Sequence, residues 1–355
     1  RPPRSPLFPY TTLFRSTATT PPTGRYALVN GVEAVLTTPA GTWPLSSQAY
    51  AGGVVHPEGY RFVSTFDVNP WPRWRFAFPS GIEVEHGIAV LHGRPMVTLS
   101  WRLLQARPGV RLEVRPLLSG RDLHVLHHEN PAFRFEEDRQ DGRIVWRPYA
   151  GVPGIAVSGN GAYTRAPLWY RSFEYREDRA RGLDHVEDLA SPGRFDFDLS
   201  RGEAFLVLSA VPAGEGAAAP AAVERPGPLA AFKALRARER RRRAGAPTRL
   251  HRAADAYLAR RGEGLTIVAG YPWFSDWGRD TFIALRGLFL RDSRLDAAEA
   301  MLVEWAGAIS EGMLPNRFPE AGAGPECHSV DSSLWCGRPG HGLARAPGPR
   351  PPAVA

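Results

Sequence analysis

A chain of 355 residues, 43% hydrophobic and 23% charged, has the composition of an ordinary globular protein. This excludes a disordered or collagen-like chain and suggests two or three domains. It has no run of about 18 apolar residues, so no spanning helix is predicted. Two cysteines, Cys327 and Cys336, are too few for a disulfide framework or a four-ligand zinc site and fit a reducing compartment. The net charge of +8 sits at the ends, where Arg1, Arg4 and Arg15, and again Arg338, Arg345 and Arg350, stand in acid-free stretches; between them the chain is nearly neutral.

Residues 1–16 show neither helical nor alternating periodicity. Their Arg-Pro-Pro-Arg-Ser-Pro opening begins a string that resembles a translated sequencing adapter, and it is set aside as an artefact. Residues 24–212 read as many short strands. Trp74, Phe76 and Phe78 alternate with Arg75 and Ala77, Val97, Leu99, Trp101 and Leu103 with Thr98, Ser100 and Arg102, and Phe195 and Phe197 with Asp196 and Asp198. Period two, with Gly and Pro punctuation at a spacing of roughly 10 residues, predicts a large antiparallel β-sandwich.

Residues 213–248 are predicted to be a linker. It carries six arginines between Arg236 and Arg243. No aromatic residues are interleaved for base stacking, and Lys233 is the one lysine among 44 basic residues, a bias of GC-rich codons. A solvated helix is the reading, without nucleic-acid binding. From 249 the period changes: Leu250, Ala254, Tyr257 and Leu258 fall on one helical face, and Leu295, Ala298, Leu302, Trp305 and Ile309 on another. Ser293 is placed to cap the second helix, and Gly312 to stop it. A sandwich followed by helices predicts a second, all-α domain over 249–336. Residues 337–355 are too rich in Arg, Pro and Gly to pack and read as a frameshift tail.

The densest chemical signal is Ala269-Gly-Tyr-Pro-Trp-Phe-Ser-Asp-Trp-Gly-Arg-Asp280. It places Trp277, Arg279 and Asp280 on a loop before a helix expected near Thr281. Aromatic faces stack on sugar rings, and Arg and Asp offer paired donors and acceptors to vicinal hydroxyls; a helix-capping Arg–Asp pair over core aromatics fits the spacing equally well. A second cluster joins Pro315-Asn316-Arg317-Phe318-Pro319 to Glu326-Cys-His-Ser-Val-Asp331-Ser-Ser-Leu-Trp335, with Asp331 and Trp335 one helical turn apart. On spacing alone this cluster is a helix cap over a core tryptophan. The histidines show no metal-ligand spacing, and no metal is predicted.

Residues 265–288 resemble the amylo-α-1,6-glucosidase domain of bacterial and archaeal glycogen debranching enzymes. Pro-Asn-Arg-Phe-Pro and Val-Asp-Ser-Ser-Leu-Trp are similar to that family's next block, with Cys327-His328 standing where the family usually has Tyr-Asn. Upstream, Tyr50-Ala-Gly-Gly-Val-Val-His-Pro-Glu-Gly-Tyr60 and the segment from Val114 to Asn130 resemble the family's N-terminal domain. The resemblance implies a β-sandwich followed by an (α/α)6 toroid, of which only the first helices lie in this chain. It implies a cytoplasmic hydrolase without cofactor, acting on α-1,6-linked glucose at branch points of glycogen or limit dextrin. It carries glucose binding over to Trp277, Arg279, Asp280, Asp331, Asn316 and Arg317. The catalytic acid and base, two carboxyls about 6.5–9.5 Å apart in an inverting glycosidase, are expected beyond the end of this chain. That leaves Asp276, Glu320 and Glu326 as binding or structural groups and the chain itself without activity. A non-catalytic glucan-binding protein and another toroidal glycosidase, of glucoamylase or trehalase type, are the alternatives.

Overall fold

The computed structural model describes residues 17–140, 142–214, 227–290, 294–318, 324–327 and 330–345. The adapter-like segment, Ser293, Glu320 and the last ten residues of the predicted tail lie outside the described residues. Two compact units are present: one holds Tyr26–Gly245, the other Ala18–Arg25 together with the chain from Ala246 onward.

The first unit is antiparallel β. One sheet runs in the order Thr23–Thr38, Arg111–Asp122, Val186–Asp198, Ala162–Glu174, Gln48–Tyr50 and Val54–His56, with Gly41–Pro44 also paired to the first of these. The other runs Glu137–Gln140, Arg143–Trp146, Gly154–Gly159, Ala204–Val211, Met96–Leu103, Glu83–Val90, Arg73–Ala77 and Val63–Asp67. Period-two alternation sends one set of side chains inward from each sheet. Leu112, Val114, Phe195 and Phe197 from the first share a single core with Trp74, Phe76, Leu99 and Trp101 from the second.

Register brings Trp74 opposite His86 and His86 opposite Trp101. The three rings stack, with centroids 5.7 and 4.7 Å apart. His86 is buried, and its Nδ1 lies 3.1 Å from the Ser100 carbonyl. A carbonyl only accepts, so Nδ1 carries the proton. Loss of hydration disfavours the charged ring and pulls its pKa down to about 4, against the weaker effect of the Ser100 carbonyl.

The segment from Val114 to Asn130 contributes a buried ion pair: Arg121 bridges both oxygens of Glu187, which also accepts from Tyr175 Oη. The pair ties the strand Arg111–Asp122 to Val186–Asp198 beyond their ladder.

Residues 228–244 of the expected linker form a helix packed on the second sheet. Phe232 stacks on Phe205 with centroids 4.5 Å apart. The guanidinium carbons of Arg236 and Arg240 lie 4.8 and 5.3 Å from the centre of the Trp71 ring. Glu239 takes hydrogen bonds from Arg242 and Arg243, and Arg243 also donates to the Pro70 carbonyl at 2.6 Å. Burial opposes ionisation of Glu239, but these two arginines outweigh it and hold the carboxyl below its ordinary range. Four of the six arginines are thus committed to packing and pairing within the unit.

The second unit holds the helices Arg249–Asp255, Gly278–Leu285, Leu295–Gly307 and Val330–Arg345, with a π-helical turn at Arg286–Leu290. The last helix runs past residue 336, with Pro339 inside it. Ile267, Phe282, Leu285, Phe289, Met301 and Trp305 form its core.

Three local expectations are corrected. Tyr257 and Leu258 do not continue a helix with Leu250: the helix ends at Asp255, Leu250 is 81% exposed, and Leu258–Arg261 pairs with Gly264–Ile267 in a hairpin. Gly262, at φ +53°, makes the tight turn that a β-carbon would strain. The helix expected near Thr281 already starts at Gly278, and the one expected to stop at Gly312 ends at Gly307. No helix of the described residues is long and apolar enough to cross a membrane.

Candidate functional site

The second unit gathers both chemical clusters of the sequence onto one ledge, and the backbone does most of the work. Phe274 N donates to Gly270 O and Ala269 N to Ser275 O, both at 2.8 Å, which curls the loop leading to Trp277. Gly278 opens the helix, and its amide, free of any intrahelical partner at that position, donates to Asn316 O at 2.8 Å. Trp277 bridges Arg317, and Arg317 bridges Glu326, as isolated antiparallel pairs. Three stretches of chain, at Trp277, Arg317 and Glu326, are thereby knitted together beside the start of the helix Gly278–Leu285. The approach is so close that a β-carbon on Gly278 would lie 2.4 Å from Pro315 O.

Side chains build on this frame. The Arg317 guanidinium lies 5.6 Å from the centre of the Trp277 ring and is held by Glu326 through two hydrogen bonds of 2.6 and 2.9 Å. Arg279 Nη1 donates to Asp331 Oδ2 at 3.2 Å, with both side chains about half exposed. Asp280 lies in the first turn of Gly278–Leu285. It makes no side-chain hydrogen bond or ion pair among the described residues. A helix N-terminus favours such an anion, and its oxygens are available as acceptors.

Of the six residues singled out, Trp277, Arg279, Arg317 and Asp331 come together with open polar or aromatic surface, and Asp280 stands beside Arg279 in the chain. Asn316 is different. Its carbonyl oxygens are engaged, the backbone one by Gly278 and Oδ1 by Ser332 Oγ at 3.3 Å, which makes it part of the frame.

Two further candidate carboxylates, Glu326 and Asp276, are occupied. Glu326 serves Arg317, a pairing nine positions apart that no helical or strand spacing signals. Asp276 is 0% exposed and lies beneath the ledge, where Oδ2 accepts from Arg261 and, at 3.2 Å, from Thr266 Oγ1. Burial pushes its carboxyl up, against the opposing pull of Arg261. Among the described residues no group of three His, Cys, Asp or Glu side chains is placed to hold a metal ion. The ledge can therefore stack an apolar ring face on Trp277 and exchange hydrogen bonds with neighbouring hydroxyls through Arg279, Asp280 and Asp331.

The chain thus joins an antiparallel β unit to helices that carry an aromatic, arginine and aspartate ledge. Residues 15–206 match the family model of the glycogen debranching enzyme N-terminal domain, and residues 252–338 that of amylo-alpha-1,6-glucosidase. The chain belongs to the glycogen debranching enzyme family. A glycogen debranching enzyme of Saccharomyces cerevisiae is 37% identical over 75 residues, which is 20% of this chain and 5% of the yeast protein. Among solved structures, a bacterial glucoamylase complexed with acarbose shares the fold at a TM-score of 0.55 and 14% identity, covering 90% of this chain and 51% of its own. A kojibiose phosphorylase from the human microbiome follows at a TM-score of 0.30 and 8% identity, over 65% of this chain and 27% of its own. The chain thus spans about half the length of the glucoamylase and a twentieth of the yeast enzyme.

Proposed function

We propose that this chain is the sandwich and first toroid helices of a cytoplasmic debranching enzyme, and that it recognises the α-1,6-linked glucose at branch points of glycogen or limit dextrin. The observation that carries the reading is the ledge itself: Trp277 beside the Arg279–Asp331 pair, with Asp280 unpaired in the same helical turn. Two acceptors and a forked donor at the edge of an indole match a pyranose, whose faces are apolar and whose rim carries hydroxyls. Glucose recognition is assigned to Trp277, Arg279, Asp280 and Asp331, with Arg317 as the lining of the Trp277 face.

The same geometry speaks against acid–base work by these carboxylates. Glu326 and Asp331 are engaged by the guanidinium groups of Arg317 and Arg279, and Asp276 is 0% exposed, out of reach of a sugar bound on the ledge. The chain as given is accordingly assigned binding without hydrolysis, and no nucleic acid is assigned as a partner because most of the arginine run is spent on Trp71 and Glu239.

Calorimetric titration of the purified chain with acarbose, maltose and isomaltose, alongside glucose release from limit dextrin, tests this. Saturable binding that is lost in Arg279→Ala, with no glucose released, is expected. Absence of binding to all three sugars refutes the recognition site, and glucose release refutes the assignment of the carboxylates.

A further inference from the structure

Arg261 lies outside the ledge, in the hairpin beneath it, yet it touches the chain neighbours of both Trp277 and Arg317. Its side chain is 19% exposed. Nη1 donates to Asp276, and Nε lies 3.7 Å from Glu304 on the helix Leu295–Gly307. The guanidinium carbon sits 3.2 Å from the centre of the Phe318 ring and 5.7 Å from that of Trp305. Asp276 immediately precedes Trp277, and Phe318 immediately follows Arg317. Trp277 and Arg317 are the two residues whose backbones bridge and whose side chains face each other. One planar cation therefore grips the neighbour of each partner, from below and in opposite chain directions.

We propose that Arg261 is a positioning residue for the glucose-recognition ledge, setting the distance between the Trp277 loop and the Arg317 loop. The inference rests on the reading of the ledge as a glucose site. Its physical basis is a pair of constraints that only a guanidinium meets together. The flat face must lie on Phe318 while an N–H at the edge reaches the Asp276 carboxylate. A lysine ammonium supplies the charge for Asp276 but has no plane to stack. Asp276 in turn has no route to water at 0% exposure, and its Oδ1 makes no hydrogen bond, so the loop follows wherever its cation goes. Glu304 steers the other edge of the fork and is itself crowded against Gly264, where an added β-carbon would lie 2.1 Å from Oε2.

The test uses the full chain in three forms, Arg261→Lys, Arg261→Met, and Arg261→Met combined with Asp276→Asn, with two readouts. One is acarbose affinity. The other is hydrogen exchange of the Gly278 amide, whose bond to Asn316 O spans the two loops. Arg261→Lys keeps the charge beside Asp276 and so keeps the unit folded. It is expected to weaken acarbose at least tenfold and to speed Gly278 exchange at least tenfold. The double variant removes the buried charge together with its partner. It is expected to regain the thermal stability lost in Arg261→Met while affinity and Gly278 protection stay reduced. Should either single variant unfold, the double variant carries the test. Recovery of both readouts in the double variant, or wild-type values in Arg261→Lys, overturns the proposal and leaves Arg261 as charge compensation alone. If the unaltered chain binds no acarbose, the recognition reading fails, and Gly278 exchange still decides whether Arg261 sets the loop spacing.

Discussion

Arg279 and Asp331 meet at 3.2 Å across 52 positions of sequence, each from the first turn of its own helix. Both are about half exposed, so the pair contributes no more than about 1 kcal/mol to stability. Its consequence is geometric: it joins the first turns of two helices, the first of them opening directly after Trp277. Arg279→Lys and Asp280→Asn are each expected to weaken acarbose binding by at least tenfold while thermal midpoints stay close to that of the unaltered chain. The fork of Arg is not reproduced by Lys, and the amide of Asn replaces one of the two acceptor oxygens with a donor. Titration calorimetry beside thermal unfolding separates the two effects, and unchanged affinity in both variants rules out the site.

The reach of the sequence was set by the range of each interaction. Alternation of Trp74, Phe76 and Phe78, or of Val97, Leu99 and Trp101, is a local signal, and all six point into the core as the period requires. Trp277, Arg279 and Asp280 stood out as a cluster because they fall within four consecutive positions. Asn316 was visible as a polar residue, but its role as a backbone brace was not, since that depends on Gly278 and Ser332 arriving from elsewhere. The Arg261–Asp276 pair, 15 positions apart, has no spacing that marks it. Leu250, Ala254, Tyr257 and Leu258 imitated a helix because a seven-residue helix followed by a four-residue strand happens to keep the same periodicity. Only the turn residues Gly262 and Gly264 marked the difference. The arginine run read as a solvated helix because Trp71, which occupies two of its members, lies more than 160 positions upstream.

His86 makes the first unit sensitive to acid. Its pKa falls from an ordinary value near 6.5 to about 4 in the folded state. The unfolded chain therefore binds the proton more readily, and the stability this residue contributes is complete above pH 6.5 and is lost as pH falls toward 4. At pH 5 the loss relative to pH 7.5 is about 2 kcal/mol. His86→Phe keeps an aromatic ring between Trp74 and Trp101 but cannot titrate. Urea unfolding at the two pH values is expected to show a stability difference smaller by about that amount in the variant. An identical pH dependence in both proteins refutes the assignment.

Phe232 anchors the helix Pro228–Ala244 to the β unit. It is buried, stacked on Phe205, and Arg236 lies over its ring at 5.0 Å. Phe232→Ala is expected to destabilise the first unit by about 3–5 kcal/mol. The loosened helix also frees Arg236 and Arg240 from Trp71, which should raise affinity for heparin measurably. Lys233→Ala, one position along and exposed, is expected to change stability by no more than about 0.5 kcal/mol. Equal effects of the two substitutions argue that the helix is a solvated linker after all.

Gly278 decides whether the ledge closes. A methyl group there would lie 2.4 Å from Pro315 O and 3.2 Å from both Ser332 Oγ and Trp305 Cζ3. Two of these neighbours belong to the backbone and the packed core, so they cannot yield as the end of a flexible chain would. Gly278→Ala is therefore expected to force the Asn316 segment away from the helix start, costing about 1–3 kcal/mol of overpacking and more than tenfold in acarbose affinity. Gly287, a short way along the same helical run, has nothing within 4 Å of an added β-carbon. Gly287→Ala is expected to be neutral or to stabilise by up to about 1 kcal/mol, because it restricts the unfolded chain without meeting a neighbour. Thermal melts and acarbose titrations of the two variants together check this. If Gly278→Ala binds as tightly as Gly287→Ala, the contact between the two loops is not what shapes the site.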